Sequence, residues 1–416
     1  MKETLAFAAL AIASAMSGPA SAQTTDPGAL LMADKTVVAA LERAKLNEPE
    51  VLAEQVRVCE IPAPPFGEEK RGLEFKNIFT KLGLQNVRID AIGNVLGDRP
   101  GKGPKPHLVF AAHLDTVFPA ETNVKVTKDG TWLKGAGIGD DCRGLAVVIG
   151  VIRALNEAKV VTPGPITFVA NVGEEGLGDL RGVKELFNRT LKGQIDRFVS
   201  VDGTGLGMTR VGVGSFRYRL IFRGPGGHSY GAFGLVNPIH ALGRAIAAIS
   251  DFQVAEEPKT TFNVGRIGGG TSVNSIPFEA WAEVDMRSHD AASLNEVQAK
   301  FLAAADAAAE AENKRWGRGA ITVEKRSVGI RPPGATPAGD YAVTAADSVT
   351  RALGLPVEWS PGSTDSNVPM GLGIPAITID GGGQGKDGHA LSEAFDTTDS
   401  WKGTQRALLI AVALSR

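Results

Sequence analysis

The feature that most constrains this chain is a recurrence. Apolar runs suited to buried strands end, one after another, in an acid or a histidine beside a glycine-rich turn. Leu108-Val109-Phe110-Ala111-Ala112 leads into His113-Leu114-Asp115, and Ile166-Thr167-Phe168-Val169-Ala170-Asn171-Val172 into Gly173-Glu174-Glu175. Phe198-Val199-Ser200-Val201 leads into Asp202-Gly203. Short continuous apolar runs of this kind fit strands covered on both faces, as in a parallel sheet. The C-terminal tips of such strands are where an open α/β sheet meets its ligand. Helical stretches at 144–158 and 182–189 fall between the runs, so the pattern predicts an α/β fold with a mostly parallel sheet flanked by helices.

The pattern changes near residue 211. Strands are expected at 216–223, 260–267, 278–287 and 321–326, with an amphipathic helix at 237–252 and an Ala-rich helix at 294–311. This βαββαβ order is that of a ferredoxin-like α+β unit. From about Arg331 the α/β pattern returns, with a helix at 341–353, a strand at 376–380 and a helix at 401–414. Ahead of the first buried strand, helical periodicity runs from 34 to 58 and from 68 to 82. The expected organisation is therefore one α/β unit made of residues 23–210 and 331–416, with residues 211–330 inserted into it as a smaller unit. A length of 416 residues suits such a multi-domain chain.

The first residues look like an export signal over 1–22. Lys2 precedes an apolar run from Leu5 to Met16, Gly18-Pro19 breaks it, and Ala20-Ser21-Ala22 offers a small-residue cleavage site. The run is short for a membrane span, which needs ~20 apolar residues. No later segment is apolar enough, so the mature chain is expected outside the cytoplasm without a span. A net charge of −2 supplies no basic field for nucleic acid. Cys59 and Cys142 allow three states: a disulfide, a thiol beside the acidic pair, or two inert buried thiols, the last being favoured.

Five segments carry the chemistry: His113-Leu114-Asp115, Asp140-Asp141, Glu174-Glu175, Asp202 and His389. Taken alone, His113 and Asp115 could be a packed histidine and a turn acid, and Asp140-Asp141 an ordinary helix cap. Glu174-Glu175 is harder to explain structurally, because adjacent carboxylates at the end of a buried strand repel unless a cation or proton intervenes. Together, the imidazoles and carboxylates suit a two-metal hydrolytic centre with one acid left over to handle the proton of water. On an extended segment His113 and Asp115 share a face, so Asp115 could orient the imidazole.

His-x-Asp, Gly-x-Gly-x-x-Asp-Asp, Gly-Glu-Glu-Gly, Asp-Gly and a late Gly-His, in this order, resemble the di-zinc exopeptidase and amidohydrolase family of glutamate carboxypeptidase, peptidase T, aminoacylase and succinyl-diaminopimelate desuccinylase. The likeness spans nearly the whole mature chain. It implies two zinc ions (or cobalt or manganese), with Asp140 bridging them, His113 and Asp202 completing one shell, and Glu175 and His389 the other. Glu174 would be the general base, Asp115 the support of His113, and the 140–141 peptide cis. In the insert, His228 of Gly226-Gly227-His228-Ser229 would steady the oxyanion, while Asn274 and Arg287 would bind substrate, Arg287 through a free carboxylate. His107, His240 and His289 are read as structural. Ser363-Thr364-Asp365-Ser366-Asn367 resembles a loop lining the substrate cleft in the peptidase T-like branch. The function implied is amide hydrolysis of a small peptide by a secreted exopeptidase. A deacylase of N-acyl amino acids is the rival, and a solute-binding protein the distant one. The resemblance also implies a homodimer through the insert.

Overall fold

The computed structural model describes residues 26–416; the segment 1–22, expected to be an export signal, lies outside them. At the centre is a nine-stranded sheet. Its middle four strands, in spatial order Ile166–Asn171, Leu108–His113, Arg197–Val201 and Ala376–Ile379, are parallel. Antiparallel strands flank them, Val95–Arg99 and Gln85–Ile89 on one side and Met208–Gly212 on the other. Every residue of Leu108–His113 and Ile166–Asn171 is buried. Because side chains alternate across a strand, Leu108, Phe110 and Ala112 enter one core layer and Val109 and Ala111 the other. The first layer is covered by Cys142–Glu157 and Trp401–Leu414, the second by the segment carrying Leu180, Val183, Leu186 and Phe187. Burying each large apolar side chain contributes roughly 1.5–3 kcal/mol.

The insert is a second sheet with its own core. Gly214–Arg223, Thr260–Gly269, Glu279–Ser288 and Thr322–Arg331 pair antiparallel throughout, with the first and third strands in the middle. Helices Pro238–Ser250 and Ala291–Trp316 cover one face, which is the ferredoxin-like arrangement expected. Glu279–Ser288 alternates buried and half-buried residues without a break, so its polar face is free to line something else. Asp285 and Arg287 lie on that face, and Asp285 pairs in register with Arg217 of the neighbouring strand.

Several boundaries differ from expectation for local reasons. The helix expected from 34 to 58 is two, Lys35–Leu46 and Glu48–Cys59, parting at Asn47. Pro49 has no N–H to continue the first helix and is tolerated only in the first turn of the second. The last strand of the insert continues to Arg331 rather than stopping at 326, which carries the chain back to the tips of the main sheet. A small sheet of three-residue strands, Thr127–Asp129, Trp132–Lys134, Gln384–Lys386 and Ala394–Asp396, is too short to leave a periodic signal. Among the described residues no helix is long and apolar enough to cross a membrane.

Candidate metal centre

The parallel strands deliver their tips to one place. His113 ends its strand, and Asp202 follows Val201. Glu174 and Glu175 follow Gly173, whose φ of +70° and contact with Arg181 leave no room for a side chain. Asp140 and Asp141 precede the Cys142–Glu157 helix and are joined by a cis peptide, as the resemblance implied. His389 comes from the loop between Gln384–Lys386 and Ala394–Asp396, with φ +67°. That left-handed conformation is unusual for a residue other than glycine and is held by the surrounding hairpin.

Asp140 lies between two imidazoles. His113 Nε2 is 3.1 Å from its Oδ1, and His389 Nε2 is 2.9 Å from its Oδ2 and 3.0 Å from Glu175 Oε1. Asp202 Oδ1 stands 4.0 Å from His113 Nε2. Ligand atoms of His113, Asp140 and Glu175 lie within 4.8 Å of one another, as do those of His113, Asp141 and Asp202. Asp141 is otherwise engaged: Oδ2 accepts the His113 amide at 3.0 Å and Oδ1 the Gly144 amide at 3.0 Å. It serves as helix cap and strand anchor, leaving Asp140 as the acid that faces both histidines.

The donor set fits divalent metal. His113 Nδ1 is 2.9 Å from the Asp115 carbonyl, which can only accept, so Nδ1 carries the proton. In the neutral ring, Nε2 then turns a lone pair toward Asp140 Oδ1, a buried oxygen that receives no hydrogen bond. Two lone pairs in a dry site call for a cation between them. Without one, protons do that work. Burial opposes charge on His113, but Asp141, Asp115 and Asp140 outweigh it and hold the imidazole well above its usual range. His389 is raised to about 10 by hydrogen bonds to Asp140 and Glu175. Burial and the nearby Asp140 push Asp202 well above the carboxylate range.

Asp115 meets His113 through its main chain as well as its carboxylate, and does more besides. Its carboxylate is 3.6 Å from His113 Nδ1, farther than its own carbonyl. It also accepts the amides of Glu174 at 3.0 Å and Glu175 at 2.8 Å. The strand ends at His113, so the shared-face rule no longer governs residue 115.

The cleft beside this cluster is lined by Asp140, Glu174, Glu175, Asp202 and His389, together with Arg217, Arg287, Arg331, Ser363 and Thr364. Arg331 is the residue the sequence reading treated only as a boundary. It is buried, and its Nη1 meets Glu174 Oε1 at 2.7 Å while Nη2 donates to the Glu174 carbonyl. Burial pushes Glu174 up to about 7 against the pull of Arg331 and His113. Behind it, Asn171 donates to Asp365 at 2.7 Å. The one available signal for Arg331 was its place at the junction where the insert returns. Arg287 is joined by Arg217, which the sequence reading did not single out: Asp285 accepts Arg217 Nε at 3.0 Å and Arg287 Nε at 2.7 Å.

His228 and Asn274 do not line this cleft in the single chain. His228 is on a two-stranded ribbon and Asn274 directly precedes its other strand, where the Ser229 amide donates to the Asn274 carbonyl at 3.0 Å. The exposed His228 ring accepts the Tyr230 and Gly231 amides on Nδ1, each at 3.2 Å. His107, His240 and His289 are likewise absent from the cleft lining; His107 Nε2 pairs with the Thr167 hydroxyl at 2.8 Å.

The favoured reading of the cysteines is corrected: Cys59 and Cys142 form a disulfide. The end of Glu48–Cys59 packs against the start of Cys142–Glu157, bringing the Cα atoms to 5.5 Å, within bridging range. Sequence separation carried no trace of that contact.

The family model for Peptidase family M20/M25/M40 matches residues 109–412. Uncharacterized protein YqjE of Bacillus subtilis (strain 168) is 27% identical over 353 residues, covering 80% of this chain and 90% of that one. A succinyl-diaminopimelate desuccinylase of Corynebacterium glutamicum is 24% identical over 263 residues, covering 60% and 69%. A solved tripeptidase from Staphylococcus aureus superposes with a TM-score of 0.72 at 24% identity, covering 88% of this chain and 99% of that one. The acids and histidines at the sheet tips thus occur in a chain most of whose length matches one family model: this chain belongs to the Peptidase family M20/M25/M40, which includes dinuclear metal-binding peptidases, and is a hydrolase.

Proposed function

We propose that this chain is an exported di-zinc exopeptidase that hydrolyses an amide bond of a small peptide bearing a free carboxylate. The observation that carries the reading is Glu174: a buried carboxylate on the cleft wall, next to the His113–Asp140–Glu175 cluster yet hydrogen-bonded by its side chain to Arg331 rather than to those ligands. His113, Asp140, Glu175, Asp202 and His389 would hold the metal pair, zinc or else cobalt or manganese. When bound, the pair supplies Lewis acidity and lowers the pKa of water. Glu174 takes the proton of the attacking water and passes it to the departing amine. Arg331 holds the Glu174 carboxylate through Nη1 and the Glu174 backbone carbonyl through Nη2, so the base is oriented before substrate arrives. Arg287, held by Asp285 through Nε, presents its remaining N–H groups to a substrate carboxylate.

A deacylase of N-acyl amino acids is the second reading, favoured by the similarity to a succinyl-diaminopimelate desuccinylase. Incubation with dipeptides, tripeptides and N-acyl amino acids, followed by product identification, separates the two. Cleavage of none of them, with metal present, would exclude both substrate classes for this hydrolase. Export over residues 1–22 is supported by the Cys59–Cys142 disulfide, which persists in oxidising compartments. A homodimer through the insert is supported by exposed Tyr230, Val273 and Phe278 around the ribbon that carries His228. In such a dimer His228 and Asn274 would act in the partner's cleft, and light scattering of the purified protein tests it.

A further inference from the structure

Asp140 sits on a glycine-rich loop, and such a loop has no intrinsic reason to hold one shape. Its shape comes from Glu393. This buried carboxylate accepts the Gly137 amide on Oε2 at 3.0 Å, and the Gly139 and Asp140 amides on Oε1 at 2.8 and 3.0 Å. Three convergent N–H groups around one anion make a built-in anion nest, here filled by the protein's own side chain. The backbone of Glu393 is tied to the same loop, since its carbonyl accepts the Gly135 amide at 3.0 Å. The next residue, Ala394, pairs in register with Lys134. Four residues upstream of Glu393 stands His389, whose ring meets Asp140 Oδ2 at 2.9 Å. From the other side, the buried Gln55 amide donates to the Ile138 carbonyl at 2.8 Å.

We propose that Glu393 is the positioning residue of the metal bridge, making Asp140 and His389 one pre-set unit; the inference rests on the di-metal reading above. Glu393 is not itself a ligand, because both oxygens are occupied by amides. Replacing it by Gln keeps the volume but turns an NH₂ group toward an amide N–H, which lets the loop open. Gly139 offers an independent probe. A Cβ there would lie 3.1 Å from Glu393 Oε1 and from Thr204 Cγ2, and its φ is not in the left-handed region, so Ala should displace the carboxylate without removing it.

The test titrates zinc ion into metal-stripped full-length wild type, Glu393→Gln and Gly139→Ala by calorimetry, with thermal unfolding of each metal-free form as the folding control. The expected result is a folded Glu393→Gln protein whose zinc affinity falls about 10- to 100-fold, the usual effect of losing an outer partner of a ligand. Gly139→Ala should show a smaller loss in the same direction. Peptide hydrolysis by both variants should recover as zinc is raised, which a merely structural defect would not do. Folded Glu393→Gln with wild-type zinc affinity overturns the proposal; should that variant fail to fold, unchanged affinity in Gly139→Ala overturns it. Wild type that binds no zinc, cobalt or manganese sinks the di-metal reading instead, a different outcome.

Discussion

The tips of the main sheet and the facing edge of the insert line one cleft but are built in opposite ways. At the sheet tips nearly every ligand-bearing loop is gripped by a buried polar group. Arg71, fully buried, donates to the Leu114 carbonyl at 2.7 Å and to those of Cys59 and Ile61. Asp115 grips the Glu174-Glu175 turn, Asp141 the His113 amide, and Glu393 the Asp140 loop. Buried hydrogen bonds to charged groups contribute about 1.5–3 kcal/mol each, so these loops cannot drift without a large loss. At the insert edge half-buried Arg287 shares one carboxylate with Arg217, while the exposed His228 ring is steadied by amides of its own turn. Rigid placement belongs where bonds are to be made and broken. The looser edge is suited to choosing and releasing substrate.

That contrast can be broken experimentally. The largest effects should come from the sheet tips. Asp140→Ala should abolish metal binding and hydrolysis together, measured as metal content after dialysis and as turnover; wild type stripped by a chelator should be equally inactive until a divalent ion is restored. Glu174→Gln should retain the metal but lose about 10²–10⁴-fold in kcat, the range of general acid–base catalysis. Wild-type turnover in that variant would remove Glu174 from the chemistry.

Next in size is the covalent grip. Replacing Cys59 and Cys142 together with Ser opens a loop of 83 residues, for which the chain-entropy estimate is about 4.5 kcal/mol. Calorimetric unfolding should show a lower Tm, and the variant should lose metal more readily because Cys142 directly follows the Asp140-Asp141 pair. The insert edge should give smaller and more selective changes. Arg287→Ala should raise KM for substrates with a free carboxylate by about 10- to 100-fold, as expected for losing a charge-assisted contact, and change little for amidated analogues. Arg217→Ala should act in the same sense but less strongly, since Arg217 Nη1 is already used by the Gly176 carbonyl at 2.9 Å. An equal effect on acid and amide substrates would show that these arginines do not read the carboxylate.

What was legible at the level of sequence follows the same division. The buried parallel strands are continuous apolar runs, and their tip residues stand out because acids and histidines rarely end such runs without a task. The βαββαβ order of the insert was readable from patterning along its strands, clearest in Glu279–Ser288, which buries one face only. The three-residue strands that bring His389 to Asp140 were not readable, because pairs so short leave no period. Arg331 and Glu393 were also passed over. Each lies far along the chain from its partner, 157 residues from Glu174 and 253 from Asp140, and a lone charged residue in sequence looks like surface. Asp115 was recognised as the support of His113, but its grip on the Glu174-Glu175 turn was not readable, because the chain leaves the strand just before it.

The amino-acid order by itself determined the layered α/β architecture, the inserted unit and the acids and histidines able to hold metal. These depend on local periodicity and residue chemistry, which are written along the chain. The recurrence of acid and histidine at strand ends therefore pointed to the place where the structure gathers these side chains. Only the tertiary structure decided which carboxylate faces both histidines, which grips a backbone amide, that Cys59 meets Cys142, and that Arg331 reaches Glu174. Those outcomes depend on angles between distant segments, set by packing of the whole core, to which no single stretch of sequence has access.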